Sequence, residues 1–238
     1  MISVCIATYN GSKTITRQLE SILNQLDEND EVIIVDDKSI DETVEILESI
    51  KNKSSISISV IVNETNIGPI KSFEKAIKKA NGEYLFFSDQ DDIWLENKIT
   101  QVMNEFNKNA DLVIHDGIVV DGDLKIIDNS WNHYNKNKLD QSLIGNIISN
   151  GYTGAMMAIS LKLAKLVIPF PDSIPMHDQW IFDVAKIEKL KITTISEPLM
   201  KYVRHGGNVT GMKKRSKFIM FKDRINLVKE LLQYRRKN

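Results

Sequence analysis

The chain has 238 residues, of which 42% are hydrophobic and 26% charged, with one cysteine and a formal net charge of −1. This length allows one large domain or two small ones, and the composition is that of an ordinary globular protein. The lone Cys5 excludes an internal disulfide framework, and the sequence contains neither a basic signal-peptide region nor an apolar run of roughly 20 residues, so we expect a cytoplasmic protein.

The near-neutral net charge hides two parts of opposite sign. From position 213 to the C-terminus, ten Lys and Arg residues stand against only Asp223 and Glu230, a balance of +8, so the preceding residues carry −9. A basic tail on an acidic body indicates an anionic partner surface. We therefore expect one domain over residues 1–211 and a basic, amphipathic helical tail over residues 212–238.

The first half of the chain alternates apolar strands with amphipathic helices. The predicted strands are 2–7, 32–35, 56–62 and 84–87, and the predicted helices are 14–26, 43–50 and 69–80. Repeated strand–helix units imply a mostly parallel sheet covered by helices, with ligands bound at the carboxyl ends of the strands.

The second half is less regular. The predicted helices are 94–106, 143–149, 161–167 and 178–190, the predicted strands are 112–120, 155–159, 192–195 and 199–203, and residues 129–138 are predicted as a polar loop. A long helix over 214–236 follows. The whole pattern predicts a mixed, mostly parallel α/β sheet flanked by helices, with a C-terminal helical extension.

Three aspartates, Asp89, Asp91 and Asp92, follow the predicted strand 84–87. Like charges this close repel each other, so the cluster is costly unless a cation lies among them. A hard divalent cation fits, because it takes carboxylate oxygens and shares them with phosphates. The alternative is a helix N-terminus in which Asp91 or Asp92 caps the following helix.

A second acidic pair, Asp36 and Asp37, follows the second strand. Ser39 or Asp41 is expected to cap the next helix, which leaves this pair without a capping role. A carboxylate at that edge can accept hydrogen bonds from a base imide or a ribose hydroxyl. Two acidic caps on one loop are the alternative.

Two later segments add further candidates. His177 and Asp178 open a predicted helix, either as a structural pair or with Asp178 placed to take a proton from an acceptor hydroxyl. In the segment 202–209, Arg204 suits a phosphate contact and His205 a metal, although two glycines there also fit an ordinary turn.

Taken together, these segments resemble the family 2 glycosyltransferases, which have the GT-A fold. The resemblance covers roughly residues 2–211, and the matching segments are 4–11, 35–39, 66–68, 81–84, 89–92, 153–155, 177–178 and 202–209. Segments 88–94 and 176–180 are most similar to bacterial rhamnosyl- and galactosyltransferases of surface-polysaccharide synthesis.

The resemblance implies an inverting transfer from a nucleotide-diphosphate sugar, such as dTDP-rhamnose or UDP-galactose, to a hydroxyl of a glycan or lipid-linked acceptor. It implies that the donor-binding residues are Thr8, Tyr9, Asn10, Asp37, Asn66, Asp89 and Arg204. Asp37 would meet the pyrimidine base, and Asp178 would be the catalytic base. Mn²⁺ or Mg²⁺ would bind Asp91, with Asp89 nearby and His205 as an additional ligand.

One family feature is missing from the sequence. The family often carries an arginine after the Asn-x-Gly segment, where this chain has Phe73 and Glu74. We expect Lys71 or Arg204 to supply the diphosphate contact instead.

The basic tail has two interpretations. Over residues 213–236 it forms either an amphipathic helix on an anionic membrane surface, which would place the protein peripherally on the inner face of the membrane, or a terminal helix packed on the domain. Nucleic acid is disfavoured as a partner because the acidic body repels a polyanion. The alternative functions are a receiver-like signalling domain that binds Mg²⁺, a nucleotidyltransferase and a non-catalytic sugar-nucleotide binder.

Overall fold

The computed structural model describes residues 1–138, 140–204 and 216–237, with the side chain of Lys217 left out. The strands of these residues form one mixed sheet. Their bounds are β1 (Ile2–Thr8), β2 (Glu31–Asp36), β3 (Ser57–Val62), β4 (Tyr84–Asp89), β5 (Ile93–Trp94), β6 (Leu112–Asp121), β7 (Ile126–Asp128), β8 (Met157–Ser160) and β9 (Ile192–Arg204).

Helices cover both faces of this sheet. Their bounds are α1 (Ile15–Leu23), α2 (Thr43–Lys53), α3 (Pro69–Lys79), α4 (Lys98–Phe106), α5 (Trp131–Asn135), α6 (Leu143–Ile148), α7 (Leu161–Val167), α8 (His177–Ile187) and α9 (Lys217–Lys237). A short 3-10 turn over Gly154–Met156 precedes β8. The predicted mixed α/β sheet with a C-terminal helix is therefore confirmed.

The first four strands of the chain lie side by side in the order β3-β2-β1-β4, and each neighbouring pair is parallel. Each residue of β2 is buried, as expected for a parallel strand that is covered on both faces. The register aligns Thr8 with Asp36 and Ala7 with Asp89. The polar residues at the ends of β1, β2 and β4 therefore meet at one edge, as the sequence predicted.

The remaining strands make the sheet mixed. β8 pairs antiparallel with both β4 and β6, and β9 runs parallel to β6. The predicted strands 192–195 and 199–203 are one continuous strand, β9, which passes through Pro198 with a register shift against β6. The long β9 reaches back to the acidic loop after β4 and pairs there with β5.

The predicted helix 94–106 is wrong at its start. Ile93 and Trp94 form strand β5 against Lys201 and Met200 of β9, and the helix begins only at Lys98, after Asn97 with φ of 67°. Tertiary pairing with β9 overrides the helical pattern because it satisfies the backbone of a segment beside the sheet edge.

The predicted loop 129–138 also contains structure. The Ser130 side chain accepts a hydrogen bond from the His133 backbone N–H and caps the short helix α5. Ile126–Asp128 forms strand β7 against β6, which the sequence pattern did not predict. Both elements are too short for periodicity to reveal them.

The last helix, α9, packs on the domain. Leu227 and Leu231 are buried in the apolar core that contains Trp180 of α8, and Tyr234 donates a hydrogen bond to Glu188 at 2.9 Å. The expectation that the tail is a terminal helix packed on the domain is thus confirmed for the side of α9 that carries Leu227 and Leu231. The division of the chain into residues 1–211 and 212–238 stays a prediction, and positions 205–215 lie outside the described residues. Among the helices of the described ranges, none is long and apolar enough to cross a bilayer.

Candidate active site

A cavity of about 380 Å³ opens at the carboxyl ends of β1 and β4, beside the N-terminus of α8. This is the edge at which open α/β sheets bind ligands. The residues around it come from seven separate segments. They are Ala7, Thr8, Tyr9, Asp37, Asn66, Gly68, Pro69, Ser72, Phe73, Asp89, Gln90, Asp91, Thr153, Gly154, Met176, His177, Asp178 and Tyr202.

Asp36, the first member of the acidic pair after β2, is fully buried and holds two loops together. Its carboxylate accepts hydrogen bonds from the Thr8 hydroxyl at 2.9 Å and from the Ser39 backbone N–H at 2.8 Å. The Ser39 hydroxyl donates to it as well. Asp36 therefore orders the loops after β1 and β2.

Asp37 lines the cavity and orders the loop before α3. One of its oxygens accepts from the Asn63 amide at 2.9 Å and the Ile67 N–H at 2.8 Å, and the other accepts from the Gly68 N–H at 2.7 Å. Gly68 has φ of 82°, a conformation that favours glycine. The carboxylate thereby sets the path of the loop that carries Asn66 along the cavity wall.

The loop after β1 is joined to the acidic loop by Gln90. The Tyr9 N–H donates to the Gln90 side-chain oxygen at 2.8 Å, and the Gln90 amide donates to the Tyr9 carbonyl at 3.0 Å. Asn10 instead contacts the second loop, where its N–H donates to the Ser39 hydroxyl and its side-chain oxygen accepts from the Ile40 N–H. Thr8 and Tyr9 thus line the cavity, whereas Asn10 is not among the described residues that do so. Sequence reasoning missed the role of Gln90.

The acidic loop after β4 brings several carboxyl groups close together. Asp89 and Asp91 both line the cavity. Burial, reinforced by the charges of Asp91 and Asp178, raises the pKa of Asp89 to about 7. Burial with the charges of Asp91 and Asp89 also raises the pKa of Asp92 well above its usual range.

Asp92 does not cap the helix that follows it, since Asn97 stands at the N-cap of α4. The alternative expectation that Asp92 is a helix cap is therefore wrong. One of its carboxylate oxygens accepts from the Val203 N–H of β9 at 3.1 Å, and the other has no hydrogen-bond partner among the described residues. Asp92 thus connects the acidic loop to β9.

A buried lysine lies behind this loop. Lys98 is 1% exposed, and its ammonium group donates to the Ala155 carbonyl at 3.1 Å and lies 4.1 Å from the centre of the Trp94 ring. Burial lowers the pKa of Lys98 to about 7, against the opposing attraction of Asp92 and Asp89. Lys98 offsets part of the negative charge of the loop, and the sequence offered no signal for it beyond its position in an amphipathic segment.

Asp178 stands at the first turn of α8, is 2% exposed and faces the same cavity. Its carboxylate accepts from the Asn150 amide at 2.8 Å, the Gln179 N–H at 2.6 Å and the Gly154 N–H at 3.1 Å. Burial raises the pKa of Asp178 to about 6, although these hydrogen bonds lower it. A carboxyl group with this pKa is partly or fully ionised near neutrality and can accept a proton there. Asn150 was not singled out from the sequence.

His177 packs among aromatic rings next to Asp178. Its ring centre lies 4.5 Å from that of Phe73 and 6.1 Å from that of Phe87, and burial lowers its pKa to about 4. A Cβ atom added at Gly154 would lie only 2.3 Å from its Nε2. The imidazole is therefore neutral and fills the space beneath Gly154 as part of the cavity wall.

Three further predicted positions have different outcomes. The Arg204 guanidinium lies 5.1 Å from the Tyr134 ring centre, and it is not among the described residues that line the cavity. Lys71 pairs with Glu74 at 3.1 Å and with Asp172 at 2.7 Å, so its ammonium group is engaged on the surface. His205 lies outside the described residues.

Two side chains of the acidic loop, Asp89 and Asp91, can offer carboxylate oxygens to a cation in the cavity. Within the described residues, no group of three or more His, Cys, Asp and Glu is arranged to hold a metal ion. Asp89 and Asp91 nevertheless face one cavity, and burial together with the charges of Asp91 and Asp178 raises the pKa of Asp89. This donor set fits a hard divalent cation whose other ligands are waters or phosphate oxygens.

A sequence model of the family described as glycosyl transferase family 2 matches residues 3–166. Among curated proteins, the chain is similar to the dTDP-rhamnosyl transferase RfbG of Shigella flexneri, with 27% identity over 222 residues, which is 87% of this chain and 73% of that protein. The chain spans 66%, 38%, 16%, 46% and 39% of the lengths of five other curated relatives that it matches.

Solved structures share its architecture. TarS 1-349 from S. aureus, in complex with UDP-GlcNAc, matches with a TM-score of 0.75 at 23% identity, over 97% of this chain and 66% of that one. The mannosyltransferase PcManGT from Pyrobaculum calidifontis, in complex with GDP-Man and Mn²⁺, matches with a TM-score of 0.63 at 17% identity, over 99% of this chain and 63% of that one. The likeness confirms the predicted GT-A fold.

Proposed function

The chain belongs to glycosyl transferase family 2, and on that premise we propose that it transfers a sugar, with inversion, from a nucleotide-diphosphate donor to a hydroxyl group of an acceptor. The proposed donors are dTDP-rhamnose or a UDP-hexose such as UDP-galactose. A dTDP-rhamnosyl transferase among the relatives and a UDP-GlcNAc complex among the structural neighbours support this choice.

The observation that carries the proposal is the position of Asp178. A buried carboxylate with a pKa of about 6 faces a cavity that it shares with Asp89 and Asp91. The Asn150 amide and the Gly154 N–H hold it in place. One wall of the cavity thus offers a proton acceptor, and the other offers carboxylates suited to the cation that accompanies a diphosphate.

We assign the proton transfer to Asp178. The acceptor oxygen forms a bond to the anomeric carbon while its proton passes to the Asp178 carboxylate, and the bond from the anomeric carbon to the diphosphate oxygen breaks. The electron pair of that bond stays on the nucleoside diphosphate. A carboxylate also stabilises the positive charge that develops on the sugar ring.

Asp91 and Asp89 are the proposed ligands of Mn²⁺ or Mg²⁺. When bound, such an ion neutralises the charge that develops on the leaving diphosphate. The Mn²⁺ in the PcManGT complex supports this proposal. The contributions of His205 and Arg204 stay predictions.

The nucleotide is proposed to lie between the loop after β1 and the loop that Asp37 orders. Thr8, Tyr9 and Asn66 line that side of the cavity. Each carboxylate oxygen has two acceptor positions, and one Asp37 oxygen accepts only the Gly68 N–H among the contacts described above. That oxygen is the proposed partner of a pyrimidine imide.

The proposed setting is surface-polysaccharide synthesis on the cytoplasmic side, with a glycan or lipid-linked saccharide as the acceptor. RfbG and a glucosyltransferase for a diphosphoundecaprenol-linked sugar, WfaP, support this setting by their names. Family membership sets aside the receiver domain and the nucleotidyltransferase. Asp178 argues against a non-catalytic binder.

Thermal stabilisation by UDP-, dTDP- and GDP-sugars with Mn²⁺ identifies the donor, because a ligand that binds the folded protein raises its melting temperature. Turnover of the donor that stabilises most is then followed with saccharide acceptors. We expect release of the nucleoside diphosphate together with a glycosylated product. Release of pyrophosphate, or donor binding without any product across the acceptor panel, would contradict the proposal.

A further inference from the structure

The C-terminal helix α9 has two faces with different surroundings. On the inner face, Leu227 and Leu231 are buried, and Glu230 accepts a hydrogen bond from the Ser173 hydroxyl at 2.6 Å. The Tyr234 ring packs edge-on against Trp180 with 5.8 Å between the ring centres. These contacts hold the helix on α8 without using its other side.

The outer face carries a row of large apolar side chains, which we call the outer stripe. It consists of Phe218, Phe221, Ile225, Val228 and Leu232, whose exposed fractions range from 76% at Phe218 to 38% at Val228. Their spacing alternates between three and four residues, which places them along one side of a helix. Contiguous exposed apolar area of this kind is uncommon on soluble proteins and marks an interaction site.

A neighbouring helix has exposed apolar side chains of its own. Helix α6 contacts α9, and its residues Ile144 and Ile148 are 70% and 56% exposed. Helix α9, which carries the outer stripe, thus packs on another helix that exposes large apolar side chains.

Basic residues flank the outer stripe. Lys222, Lys229 and Arg236 are spaced by seven residues, so they line one side of it, and all three are exposed. Over Lys217–Lys237, seven Lys and Arg residues stand against Asp223 and Glu230, for a net charge of +5. Two copies of this helix packed stripe to stripe would bring like charges together, which disfavours self-association and favours an anionic partner.

We propose that the outer stripe of α9 lies on an anionic lipid surface while its inner face holds the domain. Apolar side chains enter the boundary between headgroups and acyl chains, and the flanking Lys and Arg residues are attracted to anionic headgroups. The two interpretations of the basic tail are then properties of two faces of one helix. This binding needs neither donor nor acceptor, so it stands or falls independently of the proposed transfer reaction.

Flotation of the full chain with vesicles tests the proposal. The vesicles contain phosphatidylcholine alone or phosphatidylcholine with about one quarter phosphatidylglycerol. The test variant is Phe221→Gln/Ile225→Gln/Val228→Gln, since glutamine keeps the helix propensity while it removes apolar contact. The matched control is Ile126→Gln/Ile127→Gln, which changes exposed apolar residues of β7, 60% and 48% exposed in the wild type.

We expect the wild type and the β7 control to float with anionic vesicles and not with neutral ones. The stripe variant should bind at least about tenfold more weakly, and Lys222→Gln/Lys229→Gln should also weaken binding about tenfold or more. Unchanged melting temperatures would show that the variants fold, because the replaced side chains are exposed. Equal binding of wild type and stripe variant, no binding of the wild type, or a solution dimer that the stripe variant loses would overturn the proposal.

Discussion

The two acidic strand ends of this protein look alike in sequence and differ in their surroundings. At the end of β2, the carboxylates of Asp36 and Asp37 accept hydrogen bonds from both neighbouring loops. At the end of β4, burial raises the pKa values of Asp89 and Asp92, and the charges of Asp91 and Asp178 at Asp89 and of Asp91 and Asp89 at Asp92 add to this effect.

The difference separates carboxylates that order loops from carboxylates that we propose to act in the reaction. A carboxylate that is surrounded by donors fixes the backbone that supplies those donors. A carboxylate held near other anions gains from a cation or a proton. Asp178 is also proposed for the reaction, and at this residue burial raises the pKa to about 6 although its hydrogen bonds lower it.

The largest expected effect is at Asp178. Asp178→Asn keeps the size of the side chain and removes the proton acceptor, so transfer should fall by about 1,000-fold while donor binding persists. Nucleoside diphosphate release measures the first quantity, and calorimetric titration of the donor measures the second. Asp172→Asn changes an exposed surface aspartate and should leave both unchanged. Normal turnover by Asp178→Asn would remove this residue from the proposed role.

Because the two strand ends differ in this way, substitutions at Asp89 and Asp36 should change the free energy of unfolding in opposite directions. At pH 8, Asp89→Asn should raise the free energy of unfolding by about 1–3 kcal/mol, because the Asp89 pKa of about 7 makes its ionised form costly in the folded state. Asp36→Asn should lower it by about 1–3 kcal/mol, because an NH2 group replaces one of the two oxygens that accept buried hydrogen bonds from Thr8 and Ser39.

The pH dependence of stability is a second test of the effect of Asp89 on the free energy of unfolding. A raised folded-state pKa means that the folded protein holds a proton more tightly than the unfolded chain, so this contribution to stability falls as pH rises from about 4 to about 7. The advantage of Asp89→Asn should therefore shrink at pH 5 in thermal unfolding. In Mn²⁺, the same variant should bind the donor about 10- to 100-fold more weakly. Destabilisation by Asp89→Asn at pH 8 would contradict the contrast between the two strand ends.

Gly154→Ala should have the next largest effect. Its Cβ would lie 2.3 Å from the Nε2 of His177, which is enclosed by aromatic rings, so the loop or the ring must move. We expect a loss of about 1–3 kcal/mol in unfolding free energy and about tenfold in transfer, because the Gly154 N–H contacts Asp178. Gly122→Ala is the control, since a Cβ there meets no atom within 4 Å. Adding His177→Ala should restore part of the lost stability.

The smallest expected effect is a shift in pH dependence. Transfer should rise with pH through about 6 as Asp178 loses its proton. Asn150→Ala removes a hydrogen-bond donor to the carboxylate and so raises the pKa of Asp178. The rise of the transfer rate should therefore shift to higher pH by about 0.5–1 pH unit. In a series of transfer rates measured from pH 5 to 9, Asn150→Ala should be several-fold slower than the wild type at pH 6 and nearly as fast at pH 8. The control Asn104→Ala, on the exposed side of α4, should keep the wild-type profile.

Sequence pattern predicted the elements of the first half because strand and helix periods alternate there without interruption. It failed where distant pairing decides the local structure: β5 forms only because β9 lies beside it. At the site, the acidic end of a strand indicated Asp89 and Asp91, and the start of a predicted helix indicated Asp178. Lys98, Gln90 and Asn150 went unpredicted, since their roles depend on partners 57, 81 and 28 positions away.

The close approach of Gly154 to His177 restricts how substitutions can change the shape of the cavity. A larger residue at position 154 would displace the histidine before it reached any ligand, so this wall offers no gradual adjustment of cavity size. Met176 lines the same cavity from the segment before α8 and is only partly buried, so it can be varied with less disturbance of the core. Libraries that test the proposed donor preference should vary Met176 and keep glycine at 154.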